Sequence, residues 1–238
     1  MPLGKSAKPG HCKCSAFAFA AVMIVVPCAH GSTVYNNGAP DQSDGANITG
    51  FVAADDFTLG VGVTLTGGTF WSSANFDPFG DSFSGTIGWA VLADSSGSPG
   101  VILFSGADSA PVLTDTGVQI FGTEEWEIDF SLGSVSLGPG TYWLALHESA
   151  LGTPDDGSTI YWDTTGSQTG SLSQITADVT AASGWSSNTA LVNGNGSDLA
   201  FLLSSNSGTS TPEPSAAGLV GVGILAIWFS SRRRRLWR

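Results

Sequence analysis

Apolar and polar residues alternate with period two through Trp126-Glu127-Ile128-Asp129-Phe130-Ser131-Leu132. Such a run lays one face on a core and turns the other to water, as a half-buried strand does. Residues 61–65 alternate Val and Leu with Gly and Thr in the same way. Residues 83–93 and 141–147 carry apolar side chains in both phases and read as central strands. Residues 158–164 and 198–204 read as two more. Turn chemistry separates them: Asn36-Asn37-Gly38, Gly67-Gly68, Ser98-Pro99-Gly100, Gly138-Pro139-Gly140 and Asp156-Gly157. Short strands with turns at this spacing predict an all-β fold, an antiparallel β-sandwich of jelly-roll-like kind. No internal repeat points to a solenoid.

The two ends follow other patterns. Lys5, Lys8 and Lys13 precede an apolar stretch over 16–26, and Ala29-His30-Gly31 places small residues where signal peptidase reads. This is the pattern of an N-terminal signal helix, with cleavage expected after Gly31. Cys28 follows Pro27, where a lipobox needs Gly or Ala, so lipidation is not expected. At the other end Pro212-Glu213-Pro214 precedes an apolar run over 216–229, and Arg232-Arg233-Arg234-Arg235 follow it. Two prolines hold the short motif extended. The 17 residues of 215–231 make a helix of about 25 Å at roughly 1.5 Å per residue. A bilayer core is roughly 30 Å thick, and Trp228 and the arginines can reach across the difference. A single transmembrane helix is expected, with the arginines on the cytoplasmic side. The organisation is therefore 1–31 signal peptide, 32–203 β-sandwich ectodomain, 204–211 polar linker and 212–238 tail.

The tail resembles the PEP-CTERM sorting signal of Gram-negative bacteria. Motif, apolar run and arginine cluster occur in the family's order over roughly the last tenth of the chain. Thr211 stands where the family often has a small apolar residue. The resemblance implies an exosortase-like enzyme that recognises Pro212, Glu213 and Pro214, and Arg232, Arg233, Arg234 and Arg235 as a basic stop. It also implies a transient anchor in the inner membrane and delivery to the cell surface or extracellular matrix. In the body, Ala53-Ala54-Asp55-Asp56-Phe57, Ser98-Pro99-Gly100 and Gly140-Thr141-Tyr142-Trp143-Leu144 resemble ectodomains that precede such tails. That group has no settled activity, and the likeness supports the sandwich alone.

Charge narrows the function classes. The chain has 8 Lys and Arg and 20 Asp and Glu. Every Lys and Arg lies before residue 14 or after residue 231, and every acid between Asp41 and Glu213. The body therefore holds no cation to neutralise phosphate, which excludes nucleic-acid binding. All three cysteines precede residue 29, so the body has no disulfide despite its oxidising destination.

Catalytic chemistry is sparse. Cysteine and lysine catalysis are excluded from the body, no Gly-x-Ser-x-Gly elbow occurs, and His147 is the body's single histidine. His147 closes a strand and reads as a rim residue. Gly80-Asp81-Ser82 resembles a GDSL-type nucleophile block but lacks its downstream Asp-x-x-His. Glu127-Ile128-Asp129-Phe130 resembles the strand signature of jelly-roll glycosidases such as laminarinases, and period two puts Glu125, Glu127 and Asp129 on one face. Retaining hydrolysis needs a second carboxyl as proton donor. Ser131 and Leu132 stand where that family has it. A non-enzymatic role is the favoured expectation, with a glycan hydrolase using Glu127 and Asp129 as the alternative.

Binding is the better-supported class. The body has six tryptophans; Trp89, Trp126 and Trp143 are expected in the core. Trp162 and Trp185 are candidate platforms for the sugar rings of an extracellular polysaccharide. Paired carboxylates near turns, Asp41/Asp44, Asp55/Asp56, Asp77/Asp81 and Asp155/Asp156, are candidate oxygen ligands for calcium. The best of them are Asp55, Asp56, Asp155 and Asp156. No other cofactor is implied.

Overall fold

The structure, a computed structural model, describes residues 31–74, 79–120, 122–153, 159–177, 184–187 and 197–206. Residues 1–30 of the signal peptide, the sorting tail, Asp155 and Asp156 lie outside the described residues. The chain divides into units 1–30 and 31–238, and the description concerns the second. In chain order the strands begin with β1 (Ser32–Asn36), β2 (Pro40–Asn47), β3 (Val52–Leu59), β4 (Val63–Ala74), β5 (Ile87–Asp94), β6 (Pro99–Asp108) and β7 (Val112–Ile120). They continue with β8 (Thr123–Leu137), β9 (Gly140–Glu148), β10 (Ile160–Thr165), β11 (Gln174–Thr176), β12 (Ser186–Ser187), β13 (Asp198–Leu199) and β14 (Phe201–Ser205). One helical turn, α1 (Phe79–Ser82), lies between β4 and β5.

The strands form two antiparallel sheets. The first is built on β4, which pairs with β8 along one edge and with β14 and then β10 along the other. It is extended by β7, β1, β2 and β13. The second runs β12-β11-β3-β9-β5-β6. The inner faces enclose one core, to which Phe70, Ile128, Phe130 and Trp162 come from the first sheet and Phe57, Trp89, Val91 and Leu144 from the second. This is an all-β sandwich, as the alternation predicts.

β8 carries the clearest pattern of the sequence. Ile128, Phe130 and Leu132 are buried while Glu127 and Asp129 face outward, half-buried. The expected turn at Gly67-Gly68 does not occur. Both residues lie within β4, where Gly68 pairs with Phe130. A Cβ at Gly68 would stand 2.7 Å from the Phe130 ring, so the glycine serves a close approach of strand and ring. The real turn before β4 includes Val61, 72% exposed. Residues 198–204 form two strands rather than one, interrupted at Ala200, whose N–H is given to Asp163 O instead. β14 runs to Ser205, two residues into the stretch read as linker.

The second sheet is apolar on its outer face as well. Val52, Ala54, Ala90, Leu92, Trp143 and Ala145 form a second cluster there, with Trp185 packed against it. This explains why β5 and β9 read as apolar in both phases. His147 lies in the same register, 5% exposed; the rim placement is corrected to a buried one. Among the described residues no helix is long and apolar enough to cross a membrane.

Candidate functional site

Alternation decides the fate of each candidate. In β10, Ile160 and Trp162 take the inner phase, which leaves Tyr161 and Asp163 on the outer one. Trp162 is fully buried and donates its indole N–H to Ala200 O at 2.8 Å. Its ring meets Phe70 and Phe201 edge-on. It offers no face to a sugar, and the expectation of Trp162 as a platform is corrected: it is core. The outward aromatic of that dipeptide is Tyr161, half-buried. Trp185 is half-buried against the second cluster.

Asp55 and Asp56 are neighbours on β3 and turn to opposite faces. Asp55 lies opposite Leu144 of the core, Asp56 opposite Trp143 of the outer cluster. They do not converge on one ion, and among the described residues no group of three or more His, Cys, Asp or Glu is arranged to hold a metal. Each is instead held by donors of the chain. Asp55 accepts from Asn37 Nδ2 at 3.0 Å, from the Asp56 N–H at 2.8 Å and from the Leu199 N–H at 2.5 Å. Asp56 accepts from the Ser171 N–H at 2.8 Å. Asn37 also donates to Leu199 O and accepts from Tyr35 and Thr169 hydroxyls, and Thr169 N–H reaches Asp198. The network ties β1, β3, β13 and the 166–171 segment together. Burial pushes Asp55 well above the ordinary carboxylate range, helped by the charge of Asp198. Burial likewise raises Asp56, pushes Asp198 up to about 6 and Tyr35 up to about 12.

The outer face of the first sheet holds the second cluster of polar groups. Register sets Asp129 opposite Thr69, Glu127 opposite Trp71 and Glu125 opposite Ser73. Ser73 in turn lies opposite Tyr161. The prediction that Glu125, Glu127 and Asp129 share a face therefore holds. They differ in surroundings. Asp129 accepts a short bond from Thr69 Oγ1 at 2.5 Å. Glu125 is 2% exposed, and among the described residues its Oε2 has no partner. Glu127 is half-buried.

Two residues that sequence reasoning missed complete this face. Trp71 is half-buried between Thr69 and Ser73. Asp163 is fully buried; Ser73 Oγ donates to its Oδ1 at 2.8 Å, and among the described residues its Oδ2 has no partner. Burial pushes Asp163 up to about 8, reinforced by the charges of Glu125 and Asp41 and opposed by the Ser73 bond. Burial also raises Glu125. The available signal is phase: Trp71 is out of step with Phe70, as Tyr161 is with Trp162.

No family model matches the chain, and no curated protein matches it.

Proposed function

We propose that this chain is a secreted, non-enzymatic protein of the cell surface or extracellular matrix, processed at its tail by an exosortase-like enzyme and associated with polysaccharide. In this reading the body is the cargo, a sandwich of jelly-roll-like kind. Signal helix and transmembrane helix serve its export and its brief retention in the inner membrane. The observation that carries the proposal is the three-part tail: Pro212-Glu213-Pro214, the apolar run and four arginines, in that order. It begins a few residues after the last strand of the sandwich ends at Ser205. A body without Lys or Arg fits a destination where it need bind no phosphate. The test is the intact mass of the exported protein. Loss of the arginine-bearing end supports the reading. Exported protein that retains Arg238 overturns it, as does unchanged processing after Pro212→Ala with Pro214→Ala.

The shared face of Glu127 and Asp129 keeps the glycan-hydrolase reading as the second one. That chemistry needs a proton donor within reach of substrate. The carboxyls raised toward that role, Glu125 and Asp163, are 2% and 0% exposed. This burial is why we favour binding over turnover.

A further inference from the structure

We propose that the outer face of the first sheet is a binding site for a neutral glycan chain, with Trp71 and Tyr161 as the stacking groups and Glu127 as a hydroxyl acceptor. The inference rests on the polysaccharide association proposed above and names its site.

The groups are adjacent by register. Trp71 lies directly across from Glu127. Tyr161 lies across from Ser73, two residues along the same strand. Diagonal positions of this kind stand roughly 7–8 Å apart, within reach of aromatic side chains. All three residues are half-buried. Their rigid bodies are supported by the sheet while part of each remains open.

Their bonding capacity is unspent. Among the described residues Trp71 Nε1, the Tyr161 hydroxyl and the Glu127 carboxylate have no hydrogen-bond partner, and neither ring contacts another ring. The inward aromatics behave differently. Trp126 stacks on Phe79 with centroids 5.7 Å apart, and Trp162 has both an indole acceptor and two ring neighbours. A second, independent feature lies at the Ser73 end of the row. Among the described residues Glu125 Oε2 and Asp163 Oδ2 are buried and unpartnered on this same phase of the sheet. Buried carboxyl oxygens without partners are uncommon; at 2% and 0% exposure these two underlie the face and mark it as polar without touching a ligand.

Chemistry selects the ligand class. Apolar ring faces flanked by free acceptors and donors suit a molecule with flat C–H faces and peripheral hydroxyls. Aromatic rings give contact area at low entropic cost. Glu127 and Asp129 on one face, with no Lys or Arg in the body, repel anionic chains. Uronate-rich and phosphorylated polymers are thereby excluded, and a neutral polysaccharide remains.

The experiment is affinity electrophoresis of the purified full chain in mild detergent. The gels contain laminarin or dextran as neutral glycans, or alginate as a polyuronate, in chelator. Retardation by laminarin or dextran and not by alginate is the expected result. Trp71→Ala should weaken it at least tenfold and Glu127→Gln severalfold, while Trp185→Ala leaves it within twofold. Tyr161→Ala gives a second test should Trp71→Ala fail to fold. The proposal is overturned if neither neutral glycan retards the protein, if alginate does, or if binding survives both aromatic changes. Loss of binding in Trp185→Ala alone also overturns it. Tail processing is read separately by intact mass, so failure here leaves the sorting proposal standing and failure there leaves this one.

Discussion

Replacing Asp163 with asparagine should abolish most of a pH dependence that the buried acid imposes on the fold. Asp163 is fully buried, receives one side-chain hydrogen bond among the described residues, from Ser73, and sits in a body with no Lys or Arg to pair with it. Folded, it holds its proton up to about pH 8; its ordinary value is 3.8. The unfolded chain surrenders that proton near the ordinary value. The contribution is thus fully present below pH 3.8 and is lost as pH rises toward 8. From 3.8 to pH 7 is about three units, and at 1.36 kcal/mol per unit the loss is about 4 kcal/mol. That is a large share of a domain stability of roughly 5–15 kcal/mol. The asparagine amide would keep the acceptor for Ser73 and never ionise. Urea unfolding at pH 4, 5.5, 7 and 8.5 measures the difference. At pH 4 the two proteins should be nearly equal. At pH 7 the Asp163→Asn variant should be the more stable by about 4 kcal/mol, and its curve the flatter. Parallel curves would refute the reasoning, and so would a variant that is less stable than the parent at pH 7. The second result would mean that the native carboxyl is ionised and paired.

Other changes probe separate features. Gly68→Ala should cost about 1–3 kcal/mol, the usual effect of overpacking, because its Cβ meets the Phe130 ring; Phe130→Leu should restore part of the loss in a urea midpoint. Trp162→Ala should cost about 3–5 kcal/mol by cavity formation and leave glycan retardation of the surviving folded protein unchanged. Asn37→Ala should cost at least about 1–3 kcal/mol, since it strips buried Asp55 of a donor and Tyr35 and Thr169 of an acceptor. Amide exchange at Leu199 should rise with it. No release of reducing sugar from laminarin is expected; release that disappears in Glu127→Gln would replace the binding reading with the hydrolytic one.

The sandwich is legible in the sequence where local pattern and tertiary environment agree. In β8 a strict alternation meets one wet and one dry face, so phase alone assigns Ile128 and Glu127 correctly. It is illegible where long-range packing reassigns a local signal. Gly67-Gly68 has the chemistry of a turn, yet β4 runs straight through it because the Phe130 ring leaves no room for a side chain. Tyr161-Trp162 is ambiguous by itself, since either phase exposes an aromatic; Ile160 on one side and Asp163 on the other resolve it. A rim position for His147 follows only if polar character is equated with exposure. Asp163 escapes notice for the same reason, since a carboxyl without a cation is expected in water. Proximity in sequence pairs the carboxylates of Asp55 and Asp56, although adjacent strand positions face apart.

The pairing of β1 with β14 sets Ser32 beside Ser205. The polypeptide thus enters and leaves the sandwich at a single corner. Tension between those two points would peel the terminal strands apart one rung at a time, like a zipper, instead of shearing many rungs at once. The same closeness means that a short peptide could join the ends and new ones be opened elsewhere, at an exposed turn such as that of Val61, with the architecture kept.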